Sequence, residues 1–168
     1  MSISDNQFLR NDEAPRMKIK ARLAKFIALS RPERRTLLAA IVLLPLVWLG
    51  LQCFGLRRLQ LWLQRPTPTT GASLSTDEIA RIAALVNSAA SLAPIPATCL
   101  TRSLLLGWML RRRGVASQLR IGVRMNQGKL DAHAWVEYEG VPINDQPDVG
   151  QQFAAFDEIL PPGTSQSA

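Results

Sequence analysis

Residues 98–138 read TCLTRSLLLGWMLRRRGVASQLRIGVRMNQGKLDAHAWVEY, and the apolar period of the stretch changes midway. Through Arg113 the pattern is helical, starting at Thr98 or Cys99. Arg111 to Arg113 complement the negative end of a helix dipole, and Gly114 suits the left-handed position after a last turn. From Ser117 the period falls to two. SQLRIGVRM (117–125) reads as one strand, Asn126-Gln127-Gly128 as a turn, and LDAHAWVEY (130–138) as a second strand. Glu139-Gly140 turns the chain again and VPIND (141–145) begins a third strand. A helix feeding an antiparallel meander is an α+β core.

Working outward, Ser75-Thr76-Asp77-Glu78 is a capping box, and Ile79, Ile82, Ala83, Val86 and Ala90 form one stripe behind it. Pro94 and Pro96 shape the connection to the next helix. QQFAAFDEIL (151–160) predicts a short closing helix, and 161–168 is a tail. RPTPTTGAS (65–73) is a helix-breaking linker, so the core domain is expected over 74–160. In front of the linker lies a helical region, 16–64, and residues 1–15 lack periodicity, as a mobile terminus does.

The 168 residues are 47% hydrophobic and 20% charged, which excludes disordered, collagen-like and low-complexity classes. Charge is uneven. Residues 1–65 carry 12 basic and 4 acidic side chains, net +8, and 66–168 carry 8 and 9, net −1. Arg16 to Arg35 alternate basic and apolar residues as an amphipathic helix does. Thr36 to Leu56 then runs uncharged for 21 residues, the length of a membrane span. Pro45 and Gln52 inside it, and arginines on both flanks, fit a kinked, buried hairpin of two helices equally well. The basic residues lack aromatic interleaving or a recognition motif, so a solvated or membrane-surface face suits them better than nucleic acid.

Two cysteines without a C-x-x-C pair, and a single histidine, exclude a disulfide scaffold and any zinc site of common ligand spacing. No cofactor or metal is expected. Any thiol–imidazole chemistry must use His133. Cys99 opens a helix, whose partial positive charge favours a thiolate; Cys53, inside an apolar run, reads as a small core residue. The hairpin after His133 offers a geometric test. A two-residue loop, Glu139-Gly140, would pair Tyr138 with Val141 and put His133 and Asp145 on opposite faces. A three-residue bulged loop would pair Trp135 with Ile143 and His133 with Asp145, with Cβ atoms ~5 Å apart. Asp145 also fits the start of an Asx turn, and Asn144 and Asp148 are alternative partners for His133. Trp135, on the strand face of His133, reads as packing or as a shield over the site, and Trp108 and Met109, at helical spacing with Leu104 and Leu105, read as core.

Cysteine at a helix N-terminus, then histidine and aspartate on a meander, is the layout of papain-like and transglutaminase-like cysteine enzymes. Read residue by residue, the chain resembles the lasso peptide maturation proteases in their stand-alone peptidase form. The matching stretches are ALSRPERRTLLAAIVLL and FGLRRLQLWL, CLTRSLLLGWMLRRRGVASQLRIGV, HAWVEYEGVPIND and PDVGQQFAAF. The resemblance implies a transglutaminase-like fold with a Cys99–His133–Asp145 triad. It implies cleavage of the leader from a lasso precursor peptide, and a separate ATP-dependent cyclase acting on the freed core. Some relatives carry a fused winged-helix module that binds the leader; residues 1–70 show no strand alternation, so a separate leader-binding protein is expected as partner. A cytoplasmic precursor favours a buried or membrane-peripheral helix pair at 36–56. Acyl transfer to an amine, and a non-catalytic peptide-binding or membrane-anchoring role, remain open beside hydrolysis.

Overall fold

The computed structural model describes residues 28–63 and 74–155. The expected mobile terminus, the start of the basic helix, the linker and the tail lie outside them. The chain divides into two compact units, Met1–Arg35 and Thr36–Ala168. In the first, Ser30 and Glu33 make a capping pair at the head of the first helix, with Ser30 N donating to Glu33 Oε2 at 2.7 Å.

Helix α1 (Arg31–Leu63) runs through Pro45 without leaving helical geometry and breaks instead at Gly55, where φ is 73°. Glycine tolerates that angle because it has no Cβ. Beyond the break the chain reverses. A Cβ on Gly50 would stand 3.0 Å from Leu59 Cδ1, whereas nine residues of unbroken helix would separate the two by ~13 Å. The buried hairpin of two helices expected within 36–56 is therefore not present: that segment is one helix as far as Gly55, the second arm lies beyond it, and only one face of the longer arm is covered. Thr36, Leu37, Ala40, Leu44 and Val47 are buried, as are Leu59 and Leu63 after the turn.

Helix α2 (Thr76–Ala90) starts at the capping box read from sequence. Glu78 N donates to Ser75 Oγ, and Ser75 N and Oγ both donate to Glu78 Oε2, which holds the Glu78 carboxyl below its usual range. Its cap contribution is therefore present above the ordinary carboxylate pKa and lost as pH falls through the lowered one. Helix α3 (Cys99–Arg111) is capped by Thr98, whose side chain accepts from Thr101 N. Leu104, Leu105, Leu106, Met109 and Leu110 bury nearly every side of it, as befits a central helix packed on both a helix and a sheet. It ends in a Schellman motif, with Val115 N bonded to Leu110 O, Gly114 N to Arg111 O, and Gly114 at φ 80°. Just past that end, Arg113 donates to Met109 O and to Thr36 Oγ1 at 3.2 Å, tying α1 to α3. Burial lowers the Arg113 pKa from its ordinary value.

The sheet is antiparallel with order β3-β2-β1-β4. Strands β1 (Gln118–Asn126) and β2 (Lys129–Tyr138) match the expected meander. Strand β3 is only Val141–Pro142. Glu139 and Gly140 both have positive φ, 52° and 78°, and Tyr138 pairs with Val141, so the loop has two residues and the expected bulged register is absent. Of the closing helix expected at 151–160, residues 151–155 are described, and they leave helical geometry after Gln152. A single turn, α4 (Val149–Gln152), leads into β4 (Ala154–Ala155), which pairs with Val123 and Gly122 of β1. That edge pairing leaves the Phe153 ring against the sheet.

Gly122 sits at the tightest point of this packing. A Cβ there would meet Phe153 Cβ at 2.9 Å, Ala154 O at 3.1 Å and the Trp135 ring at 3.1 Å. Gly107, inside α3, faces open space. The two glycines should therefore respond with opposite signs in thermal unfolding. Gly122→Ala lowers stability by about 1–3 kcal/mol through overpacking, and Gly107→Ala raises it by about 0.5–1 kcal/mol through helix propensity.

Candidate active site

Cys99 is the first residue of α3 and is half-buried. Helix geometry leaves its backbone N–H and that of Leu100 without intrahelical acceptors, and the cap hydroxyl is already used by Thr101 N. Position i+4 from Cys99 is Ser103, so both side chains share one face of the helix. Ser103 is fully buried and donates its Oγ to Ala134 O at 3.0 Å, beside His133 on β2. That bond fixes the start of α3 against the part of the sheet that carries the histidine. The Cys99 thiol itself makes no hydrogen bond among the described residues.

His133 Nε2 lies 2.7 Å from Asp145 Oδ2, and the two side chains are 21% and 23% exposed. An ionised carboxylate only accepts, so the proton on this bond belongs to Nε2, and the neutral ring keeps its lone pair on Nδ1. The second oxygen, Oδ1, accepts from Gln146 N at 2.8 Å. Asp145 thus both closes a local turn and holds the imidazole, one oxygen for each.

The two-residue turn would have put Asp145 on the wrong face of a continued strand. The strand does not continue. Val136 pairs with Ile143, and Ile143 N donates to Val136 O at 3.0 Å. The reciprocal bond is taken over by a side chain, Val136 N donating to Asn144 Oδ1 at 2.8 Å. The backbone leaves the ladder at this point, and Asp145 swings to the face of His133. Asn144 is anchored from two further sides: its Nδ2 donates to Ser103 Oγ at 3.0 Å, and its carbonyl oxygen accepts from Asn87 Nδ2 of α2 at 3.0 Å. With these bonds made, Asn144 does not serve as an alternative partner for His133. Asp148, the other alternative, precedes α4 and accepts from Gln152 Nε2.

The His133 ring is held by aromatic neighbours. The Phe153 ring stacks on it at 5.0 Å between centroids, and Trp135 lies at 6.3 Å. The Arg124 guanidinium covers Phe153 at 4.4 Å and also bonds Asp131. Trp135 has no exposed surface. It therefore packs beneath the site, and its indole N–H donates to Glu137 Oε1 at 2.8 Å. Leu104, Leu105 and Met109 are core, as read. Sequence reasoning missed Phe153 and Ser103. Neither carries a local signal, since one falls just past the end of a single helical turn and the other is one serine in an apolar helix.

An open groove of about 390 Å³, lined by Arg111, Gln118, Glu137 and Glu139 among others, lies at the opposite end of α3. Thirteen residues of helix, ~20 Å, separate it from Cys99, so the thiol does not open into it.

Compared with known families, the Transglutaminase-like superfamily model matches residues 40–156. The chain belongs to this superfamily. Its members are of cysteine protease or acyltransferase type, and the match takes in α1 from Ala40 as well as the sheet. No curated protein and no solved structure matches the chain.

Removing Asn144 strands a buried amide and a hydroxyl. Asn144→Ala should cost about 1–3 kcal/mol in urea unfolding, and Ser103→Ala a similar amount, because each leaves the other's partners unpaired. The double variant should cost less than the sum of the two, which a double-mutant cycle reads directly.

Proposed function

We propose that this transglutaminase-like domain is a cysteine protease that removes the leader from a lasso precursor peptide, with Cys99 as nucleophile, His133 as general base and acid, and Asp145 as the group that orients the imidazole. The observation that carries the reading is the 2.7 Å His133–Asp145 bond, on a strand whose Ala134, next to His133, is bonded by Ser103, one helical turn along α3 from Cys99. The lasso assignment is supported by the separated sequence stretches around Cys99, His133 and the N-terminal helix.

The chemistry follows from the residues. The Cys99 thiol passes its proton to His133 Nδ1, and the thiolate attacks the carbonyl carbon of the last leader residue. The developing oxyanion is stabilised by the Cys99 backbone N–H at the positive end of α3. The imidazolium gives its proton to the leaving amine, which departs as the N-terminus of the core peptide. Water, deprotonated by the neutral imidazole, then cleaves the thioester and regenerates the thiol. Asp145 stabilises the imidazolium formed in each half-reaction.

The freed α-amine is the nucleophile a separate ATP-dependent cyclase would close onto a side-chain carboxyl, and a separate winged-helix protein would present the leader. Both partners put the reaction in the cytoplasm. No metal or cofactor enters the mechanism. The same acyl-enzyme permits transfer to an amine instead of water, and the product mass distinguishes the two.

Mass spectrometry of a lasso precursor incubated with this protein and a leader-binding partner is the test. Cleavage at a single leader–core bond is expected, abolished by Cys99→Ala, unaffected by Cys53→Ser and slowed about 10²–10⁴-fold by Asp145→Asn. A ligated product would move the assignment to acyl transfer, and efficient cleavage without a partner would remove the need for one. Equal cleavage by Cys99→Ala would overturn the reading.

A further inference from the structure

Helix α1 is apolar on both sides, but the protein covers only one of them. Leu37, Ala40, Leu44 and Val47 are buried, at spacings of three, four and three residues. Leu38, Val42, Leu46 and Leu49 recur at spacings of four, four and three on the opposite face, and each is more than half exposed, Val42 at 65%. Among the described residues, seven of the eleven exposed large hydrophobics belong to α1, with Phe54, Leu61 and Trp62 completing the set at and beyond the Gly55 turn. A contiguous strip of this kind is not an ordinary solvated surface.

The strip is continued by cations. Arg31 and Arg35 precede Leu38 by seven and three residues in sequence, and both are exposed. Arg57 and Arg58, just past the turn, are exposed as well. Glu33, the one acid in α1, is engaged by Ser30 at the cap. In the sequence ahead of α1, Arg16, Lys18, Lys20, Arg22 and Lys25 follow without an intervening acid. An apolar strip bounded by cations and by tryptophan complements the headgroup and acyl boundary of an anionic lipid leaflet.

The helix is also long and apolar enough to span a bilayer, but its buried face argues against that use. Thr36 is bonded to Arg113 of the core, and the chain reverses at Gly55 so that Leu59 packs on Gly50. A span would pull these contacts into hydrocarbon.

We propose that the Leu38–Val42–Leu46–Leu49 face of α1 docks in-plane on an anionic membrane surface, holding the transglutaminase-like domain at the leaflet as a peripheral protein. The surface acts independently of the thiol chemistry. It needs only the α1 strip and its arginines, and the substrate chemistry of the site does not enter it.

Flotation of the full chain with vesicles tests this, comparing phosphatidylcholine alone with an equal mixture of phosphatidylcholine and phosphatidylglycerol. The protein should float with the mixed vesicles, release as salt rises, and be extracted by alkaline carbonate. Val42→Ser with Leu46→Ser should weaken partition by about tenfold or more without lowering the melting temperature, since both side chains are already in water. Arg31→Gln and Arg35→Gln should each weaken it about fivefold. Three results would overturn the proposal. One is a protein that stays in the aqueous fraction with both vesicle types. Another is resistance to carbonate, which would mean a true span. The third is a wild-type dimer in sedimentation that the Val42/Leu46 variant dissociates without any lipid binding, which would assign the strip to a second copy of the chain.

Discussion

The side chain of Asn144 is the joint on which the candidate site depends. In a regular antiparallel ladder Val136 would take its acceptor from the carbonyl of Ile143. Here it takes Asn144 Oδ1 instead. Because a side chain completes the ladder, the backbone is released to turn, and Asp145 reaches an imidazole that the register alone would have kept from it. The same amide donates to Ser103 on α3, and the same residue's carbonyl receives Asn87 from α2. Three elements distant in sequence therefore converge on one residue, and the helix that begins with Cys99 is fixed to the strand that carries His133. The arrangement is economical in polar groups: Ser103, inaccessible to water, is bonded on both sides, so its burial costs little.

Around that joint the imidazole is fixed in its plane by contacts of another kind. Phe153 lies on one face under the cover of Arg124, and Gly122, opposite His133 in the β1–β2 register, is small enough to let Phe153 and Trp135 close on the sheet. The site is thus a polar pair set on a dry aromatic floor, with Trp135 wholly inside. Such a floor raises the strength of the His133–Asp145 interaction by excluding water from one side.

What could be read from sequence was local. The Ser75–Glu78 box, the start of α3 at Thr98–Cys99, the Gly114 stop and the two long strands all rest on interactions within a few residues, and each is where it was expected. Cys99, His133 and Asp145 stand as candidates on helix start, chain order and family resemblance, and the structure joins the last two by a hydrogen bond. What failed was long-range. The sequence leaves two hairpin registers open, of which only the bulged one aligns His133 with Asp145 on a ladder; the structure has the other and reaches the alignment by leaving the ladder, a device that depends on Asn144 meeting Ser103 across 41 residues. The segment around Phe153 reads as helix because its apolar pattern is short and ambiguous, and the pairing with β1 that makes Ala154–Ala155 a strand lies about thirty residues away. In α1, proline was taken as the break, yet the helix accommodates Pro45 and turns at Gly55, where a positive φ is needed.

The central claim is that His133, oriented by Asp145, acts on the Cys99 thiol, and it can be tested without a substrate. Iodoacetamide labelling followed by peptide mapping gives the alkylation rates of both cysteines in one sample. Cys53 is exposed and Cys99 half-buried, so access alone would make Cys53 the faster. The account predicts that Cys99 is alkylated about tenfold faster or more at neutral pH, and that His133→Ala removes the excess. Rates ordered by exposure, and unchanged in His133→Ala, would contradict it.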